Sequence, residues 1–273
     1  MRKILFLVSL IVFSAVATAG AEDVTLPAAA SIVGGAPFFS DVRAFNTSYT
    51  DALDVTAHYR CFITCTAVGA PEIQFTLNPR ESRAFNDIVQ NTFLAPNTAG
   101  GIEFEHSGSS EQLVVTSRLY STAPEPTVGM FIPGLPNNEA HARTVLTSIR
   151  NGGFRTNVGA YNREDAPVTV TFTIFDGGVQ VGTPVSVSIS GHSGAQVNNI
   201  FRAAGQEGHA TENAVITMPM PVARRAGGTT SLTIAITSAP EMPPNEPHTA
   251  RDASNAAKLC DIPHATVPST KPA

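Results

Sequence analysis

The sequence predicts an all-β protein in which two related β-sandwich domains follow a secretory signal peptide. Three observations support this prediction: a three-part export signal, two sequence blocks that recur 112 to 116 residues apart, and short alternating segments separated by many of the 21 glycines and 20 prolines. The predicted divisions are a signal peptide (1–21), a first domain (22–122), a linker (123–136), a second domain (137–239) and a Pro-rich tail (240–273).

The export signal has the parts of a secretory leader. Arg2 and Lys3 precede an apolar run from Ile4 to Ala17, and Ala19-Gly20-Ala21 supplies small residues for cleavage. An uncleaved membrane anchor is disfavoured, because an apolar run of about 14 residues is shorter than the roughly 20 that a transmembrane helix needs. We therefore expect a secreted protein, extracellular or periplasmic, with no stable membrane span after signal cleavage.

Removing the signal leaves 252 of the 273 residues, and the formal net charge falls from −5 to −7 because Arg2 and Lys3 are lost. No run of Lys or Arg remains that could follow a phosphate backbone, so nucleic acid is not an expected partner. The acidic excess is scattered along the chain, as is usual for a soluble surface.

Three cysteines remain after the signal: Cys61, Cys65 and Cys260. Export permits a disulfide, but the odd number leaves one thiol over. In an extended strand, Cys61 and Cys65 would lie roughly 13 Å apart at about 3.3 Å per residue, which is too far for a disulfide. They can pair only if residues 62–64 turn back, so the sequence leaves the paired and unpaired states open. Cys260 lies in the predicted tail, as an idle thiol or as one that reaches another chain.

The repeat consists of two blocks in the same order. Phe38–Asn46 matches Phe154–Asn162 with four of nine positions identical, and Phe85–Val89 matches Val197–Phe201. Two blocks in register indicate that one structural unit is duplicated.

Between these blocks, the second copy predicts a β-hairpin. Val168–Phe175 alternates apolar with hydroxyl-bearing residues, Asp176-Gly177-Gly178 tolerates positive φ, and Val185–Ile189 alternates again. The matching strands of the first copy are predicted at Leu53–Tyr59 and Ile73–Leu77. The longer loop between them, Arg60–Glu72, contains two of the cysteines.

Each copy ends with a further predicted strand, at Leu113–Tyr120 and Ser231–Thr237. The apolar centre of the linker, Met130–Ile132, would add an edge strand. Short helical turns are predicted at Ile88–Phe93, Ile200–Ala204 and Ala250–Leu259. Many short strands in units of about a hundred residues favour a sandwich or a barrel.

These segments resemble a family of secreted bacterial proteins built from tandem immunoglobulin-like modules. In that family a segment like Phe154-Arg155-Thr156-Asn157-Val158 opens a strand, and the resemblance continues through Asn162, Ala166–Thr171 and Val197–Phe201. It implies two tandem immunoglobulin-like β-sandwich domains that act as surface, adhesion or spacer units. The chain has no Trp and lacks the core cysteine pair of antibody domains, which excludes close kinship with antibodies but not the sandwich.

The strongest enzymatic motif is Gly191-His192-Ser193-Gly194-Ala195, which approximates the nucleophile elbow of α/β-hydrolases. It lacks the final glycine and the following helix that the elbow requires. The repeat also aligns Glu81 with Ser193, so the first copy has no nucleophile there. We predict a turn between strands at this position.

No metal, cofactor or catalytic site is predicted. The histidines, at positions 58, 106, 141, 192, 209, 248 and 264, lack the paired spacing of metal ligands. Glu103 and Glu105 alternate on a strand predicted over Ile102–His106 and could share a cation weakly, but a solvated strand face is the simpler interpretation. Asn46-Thr47-Ser48 matches a glycosylation sequon, which we interpret as a turn.

The predicted function is a non-enzymatic structural, adhesive or protein-binding module that acts through its sandwich surfaces. Its partner would be an extracellular or envelope protein or a glycan. The alternative is a carbohydrate-binding or enzyme-accessory module, which would present a row of exposed rings drawn from Tyr49, Tyr59, Tyr120 and Tyr161. A serine hydrolase using Ser193 is a remote third hypothesis.

Overall fold

The computed structural model describes residues 22–33, 37–65, 68–109, 111–122, 128–136, 143–219 and 232–240. The predicted signal peptide, the predicted helical turn at Ala250–Leu259 and Cys260 lie outside these residues. Within them, no helix is both long and apolar enough to cross a membrane.

The described chain consists of antiparallel strands and two single-turn helices, which confirms the all-β prediction. The N-terminal half (22–136) contains β1 (Glu22–Ile32), β2 (Phe38–Asn46), β3 (Leu53–Ile63), β4 (Glu72–Leu77), β5 (Ser82–Phe85), α1 (Ile88–Asn91), β6 (Thr98–His106), β7 (Leu113–Ser121), β8 (Val128–Pro133) and β9 (Leu135–Pro136). The C-terminal half (143–240) contains β10 (Arg143–Asn151), β11 (Phe154–Asn162), β12 (Val168–Asp176), β13 (Val179–Ile189), β14 (Ser193–Val197), α2 (Ile200–Ala203), β15 (Thr211–Pro219) and β16 (Leu232–Pro240).

The strands pair in the same order in both halves. Each half has a four-stranded layer, β4-β3-β6-β1 or β13-β12-β15-β10, and a three-stranded layer, β5-β2-β7 or β14-β11-β16. In the N-terminal half the two layers join, because the end of β1 pairs with the start of β2 at Ile32 and Phe38. The edge strand predicted in the linker is β8, which pairs with β7, and β9 pairs with β1, so residues 128–136 extend the N-terminal sheet.

Matched residues of the two sequence blocks make matched hydrogen bonds. The side-chain amide of Asn46 donates to the carbonyls of residues 51, 77 and 78, and that of Asn162 donates to the carbonyls of residues 166, 189 and 190. Both asparagines are fully buried, and each also accepts from the backbone N–H two residues ahead. Because buried polar groups require partners, these two side chains fix the turn that follows β2 and β11.

The short helices are also capped alike. Asp87 and Asn199 precede α1 and α2 with a left-handed backbone, and each side chain accepts from the N–H three residues ahead. The backbone N–H groups of Asp87 and Asn199 donate to the side chains of Asp41 and Asn157, at 3.0 Å in both cases. An amide oxygen therefore fills this structural role as well as a carboxylate does.

Each half encloses its own hydrophobic cluster. In the N-terminal half, alternate residues of β3 point inward, and Leu53, Val55, Ala57 and Tyr59 are buried together with Phe104 of β6. In the C-terminal half, Phe172 and Ile174 of β12 occupy the corresponding interior. Since burial of a large apolar side chain contributes roughly 1.5 to 3 kcal/mol, the two clusters supply the main stabilising term of the fold.

Several predicted boundaries were wrong. The loop predicted from Arg60 begins only after Ile63, because β3 continues beside β6 through a bulge between Cys61 and Ile63. Strand β13 begins at Val179, directly after the predicted turn, and not at Val185. Gly177 and Gly178 both have positive φ, so the turn itself is of the predicted kind.

Candidate functional site

The two halves contact each other through one layer of each. The outer surface of the N-terminal four-stranded layer, at β3 and β6, lies against β11 and β14 of the C-terminal three-stranded layer. We call this contact the inter-half contact. Its centre contains Arg60, Glu103, Tyr161 and His192.

Glu103 lies at the centre of this contact and is the acceptor that its other three residues share. Its side chain is buried, with the residue 5% exposed, and it receives hydrogen bonds from both halves. One carboxylate oxygen accepts from the Tyr161 hydroxyl at 2.9 Å and lies 2.8 Å from His192 Nδ1, and the other accepts from Arg60 Nε at 2.9 Å. The second His192 nitrogen lies 3.1 Å from an Asp165 oxygen. A buried carboxylate is tolerated only when it is paired in this way, so the cluster requires the two halves to stay together.

The inter-half contact shifts the pKa values of three of its side chains. Burial alone would raise the pKa of Glu103, but hydrogen bonds and charge from His192 and Arg60 outweigh it, and the pKa of Glu103 lies below its ordinary value. Burial would lower the pKa of His192, yet its contacts with Glu103 and Asp165 raise it. Burial and the negative charge of Glu103 raise the pKa of Tyr161, which therefore remains a hydrogen-bond donor.

Two aromatic rings complete the contact, each lying on a glycine of the other half. The Tyr161 ring covers Gly101, and the Phe62 ring covers Gly194, so closely that a methyl group at either glycine would overlap the ring. The two rings also lie against each other, with centroids 6.4 Å apart. Glycine thus permits the close approach of the layers at both points.

A disulfide flanks the Phe62 ring. Cys61 and Cys65 are bonded, with their Cα atoms 5.7 Å apart, which settles the alternative left open by the sequence. The chain turns back at Thr64, whose φ is +55°. The bridge therefore restrains the end of β3 from which Phe62 projects.

A second surface is the outer side of the N-terminal three-stranded layer and β8. We call it the outer aromatic face; it consists of Phe39, Phe45, Tyr49, Arg80, Val114, Arg118, Tyr120 and Phe131, with the polar residues Asp41, Arg43 and Thr116 between them. Tyr49 is 80% exposed and Phe131 is 62% exposed. The guanidinium of Arg80 lies 4.8 Å from the Phe45 ring centre and 4.6 Å from that of Tyr49, and Arg118 lies 4.7 Å from that of Tyr120. These cation–π contacts hold large rings at the surface in fixed positions.

One end of this face forms a shallow depression. Its lining residues are Phe39, Asp41, Asn86, Asp87, Asn91, Tyr120 and Thr122. Burial, with the carboxylates of Asp41 and Asp87 nearby, raises the pKa of Tyr120. Burial also raises the pKa of Asp87, despite its hydrogen bond from Ser31.

The structure places the hydrolase motif in the inter-half contact. The predicted turn is present at residues 191–192, and Ser193 begins β14 opposite Asn162. Both ring nitrogens of His192 face carboxylates, Glu103 and Asp165, and neither is directed to Ser193 as a general base would be.

The solvated-face interpretation of Glu103 was wrong. The residue is buried because the C-terminal half covers it, whereas Glu105 is exposed and lies 3.3 Å from His58. Among the described residues, no group of three or more His, Cys, Asp or Glu side chains is arranged to hold a metal ion. The sequence signal that could have located this contact is the pair Gly100-Gly101 inside a strand, because glycine there often marks close backbone approach.

Two other sequence hypotheses can be placed on the structure. The side chain of Asn46 is buried in its turn, as interpreted from the sequon. Of the four tyrosines considered for sugar stacking, Tyr59 and Tyr161 are buried, so these four do not form an exposed row.

The chain matches no protein-family model, no curated protein and no solved structure.

Proposed function

We propose that the chain is a secreted, extracellular or periplasmic, non-enzymatic module that binds a protein partner in a structural or adhesive role, built from two tandem immunoglobulin-like β-sandwiches. The layers of three and four strands and the separate hydrophobic cluster in each half support this architecture. One feature departs from the usual immunoglobulin order: β1 lies beside β6 and β7 lies beside β2, so that the first and last strands have exchanged places.

The observation that carries the functional proposal is the outer aromatic face. Interfaces between proteins are enriched in Tyr, Phe and Arg, and residues of these types dominate the binding energy when they lie near the centre of the contact. Here Tyr49 and Phe131 are exposed large rings, and Arg80 lies over two rings. The Tyr49 ring, already held by Arg80, loses little conformational entropy on binding, which favours affinity.

The inter-half contact supports the same role. Glu103 is buried and accepts hydrogen bonds from both halves, so separating the halves would leave its carboxylate without some of its donors. The outer aromatic face is therefore presented by a unit of fixed shape and not by one of two loosely linked domains.

The test is capture of partners from the envelope of the producing cell with the immobilised chain 22–273. We expect a protein to be retained by the native chain and lost with the double variant Tyr49→Ala, Phe131→Ala. The matched control is Leu94→Ala, which alters another exposed apolar residue on the loop after α1. Equal recovery of the same proteins by the native chain and the double variant would contradict the proposal.

A further inference from the structure

The surface with which the C-terminal half docks on the N-terminal half has a counterpart on the N-terminal half itself. In the matched sequence blocks, Tyr161 corresponds to Phe45 and His192 corresponds to Arg80. The structure supports this match, since His192 and Arg80 both have positive φ, and their N–H groups donate to the carbonyls of Glu164 and Ser48.

The next residue in each turn extends the correspondence. Asp165 follows Glu164, and Tyr49 follows Ser48, so Tyr161, His192 and the Asp165 that faces His192 correspond to Phe45, Arg80 and Tyr49. These three residues form the exposed ring-and-guanidinium cluster of the outer aromatic face. Tyr161 is therefore buried in the inter-half contact, whereas its counterpart Phe45 is half-buried beside the exposed Tyr49 and Arg80.

The receiving surface also has a counterpart. In the N-terminal half it is the outer side of β3 and β6, where Arg60 lies opposite Gly101 and His58 opposite Glu103. In the C-terminal half the corresponding strands are β12 and β15, where Phe175 lies opposite Val215 and Thr173 opposite Thr217. Aligned in this way, Phe175 takes the place of Arg60, and Thr217 takes the place of Glu103.

The docking and receiving counterparts both differ in chemistry from the surfaces that meet inside the molecule. Inside the molecule, the polar pair Tyr161 and His192 meets the charged pair Arg60 and Glu103. On the counterpart surfaces, rings stacked with a guanidinium lie on one side, and the half-buried side chains of Phe175, Val215 and Thr217 lie on the other. Next to Thr217, Val145 of β10 is 51% exposed. The weakly hydrated, flat guanidinium of Arg80 suits such an apolar surface better than an ammonium would.

We propose that the outer aromatic face of one molecule docks on the outer side of β12, β15 and β10 of a second copy of this chain. The contact between molecules uses the counterparts of the two layers that meet within each molecule, at a wider spacing, because Val215 stands where Gly101 permits the close approach of the Tyr161 ring. It is heterologous, because two different surfaces meet, so each copy keeps one free surface of each kind and the assembly extends head to tail. This inference rests on the proposed function, since it names a second copy as the partner of the same face.

The test uses sedimentation velocity over a concentration series of the chain 22–273. We expect the native chain to form species that grow with concentration. Tyr49→Ala alters the docking surface and Val145→Lys alters the receiving surface, and each is expected to weaken association at least tenfold. Leu94→Lys is the matched control, because Leu94 is 56% exposed on a loop outside both surfaces. Circular dichroism establishes that each variant is folded.

Mixing the two variants provides the decisive measurement. Tyr49→Ala retains its receiving surface and Val145→Lys retains its docking surface, so the equimolar mixture is expected to form a dimer that neither variant forms alone. A native chain that stays monomeric at every concentration, or a mixture that stays monomeric, would overturn the inference.

Other occupants of these surfaces give distinct results. Association that appears only after residues 241–273 are removed would assign the receiving surface to the chain's own C-terminal segment and would overturn the inference. A monomeric native chain that still captures an envelope protein through Tyr49 and Phe131 would also overturn it, while the proposed function would stand.

Discussion

The hydroxyl of Tyr161 donates a hydrogen bond of 2.9 Å to the carboxylate of Glu103, 58 residues earlier in the chain and in the other half of the molecule. Neither side chain belongs to the hydrophobic cluster of its own half, and each is covered by the other half. The stability of this contact can therefore be measured separately from that of either core.

Removing the Tyr161 hydroxyl should weaken the inter-half contact while leaving its ring in place. We expect Tyr161→Phe to lower the free energy of unfolding by about 1 to 3 kcal/mol, because a buried carboxylate loses one of its donors. Urea denaturation followed by circular dichroism measures this change. The control is Tyr49→Phe, which alters an exposed hydroxyl and should have an effect within about 0.5 kcal/mol. Equal effects of the two substitutions would show that the bond contributes nothing.

Adding a methyl group at either interfacial glycine should separate the layers. Gly101→Ala would overlap the Tyr161 ring and Gly194→Ala the Phe62 ring, so each is expected to destabilise the molecule by about 1 to 3 kcal/mol through overpacking. Gly208→Ala is the matched control, because no heavy atom lies within 4 Å of the added carbon. Combining Gly194→Ala with Phe62→Leu should recover part of the loss. A Gly208→Ala variant as unstable as the other two would contradict this account.

The inter-half contact should be most stable at mildly acidic pH. The raised pKa of His192 means that its contribution is complete below its unfolded value and is lost as pH rises through its folded value. The lowered pKa of Glu103 means that its contribution is complete above its unfolded value and is lost as pH falls through its folded value. Both contributions are therefore complete between the unfolded pKa values of Glu and His, at about pH 5 to 6.

The measurement is the urea midpoint of the native chain and of His192→Gln across this range. We expect the difference between the two proteins to be largest at about pH 5 to 6 and to shrink as the pH rises above the His192 pKa. Asp165, which faces the outer His192 nitrogen, and Arg60, which bonds Glu103, remain in both proteins. A difference that does not depend on pH would mean that His192 acts only through its shape.

Asn46 and Asn162, the two buried asparagines of the turns, should contribute equally to stability. Asn46→Asp and Asn162→Asp each replace three donated hydrogen bonds by a carboxylate facing carbonyl oxygens. We expect each substitution to cost at least about 3 kcal/mol, since a buried charge without donors is strongly destabilising. Asn91→Asp, an exposed residue of α1, is the control. Hydrogen exchange should show the loss of protection confined mainly to the half that carries the substitution.

The local parts of the fold were predictable from the sequence. The alternation in Val168–Phe175 and the glycine pair after it placed the hairpin of β12 and β13, because strand periodicity and turn chemistry are properties of neighbouring residues. The matched blocks also placed α1 and α2 at corresponding points. Strand β1 was missed, since several of its residues are alanine and it is buried on both sides, so it shows no alternation.

The centre of the inter-half contact was not predictable in the same way. A glutamate on an alternating strand is normally solvated. Gly100-Gly101 marks a close approach there, but it does not identify Tyr161 and His192 as the side chains that cover Glu103. Its burial depends on how the two halves meet, which involves residues 58 and 89 positions away. Likewise, the alternating pattern of the strand that contains Phe45 did not indicate that Arg80 would lie over the Phe45 ring.

The position of β9 has a mechanical consequence. Pro136 lies opposite Val24, so the chain enters and leaves the N-terminal half at neighbouring points of one antiparallel ladder. Tension applied to the ends of the chain would pull these points apart and open the β1–β9 pairing, which has two residue pairs, before the longer β1–β6 ladder opens. Stretching of single molecules should therefore show a weak, early extension before the force peaks of the two cores.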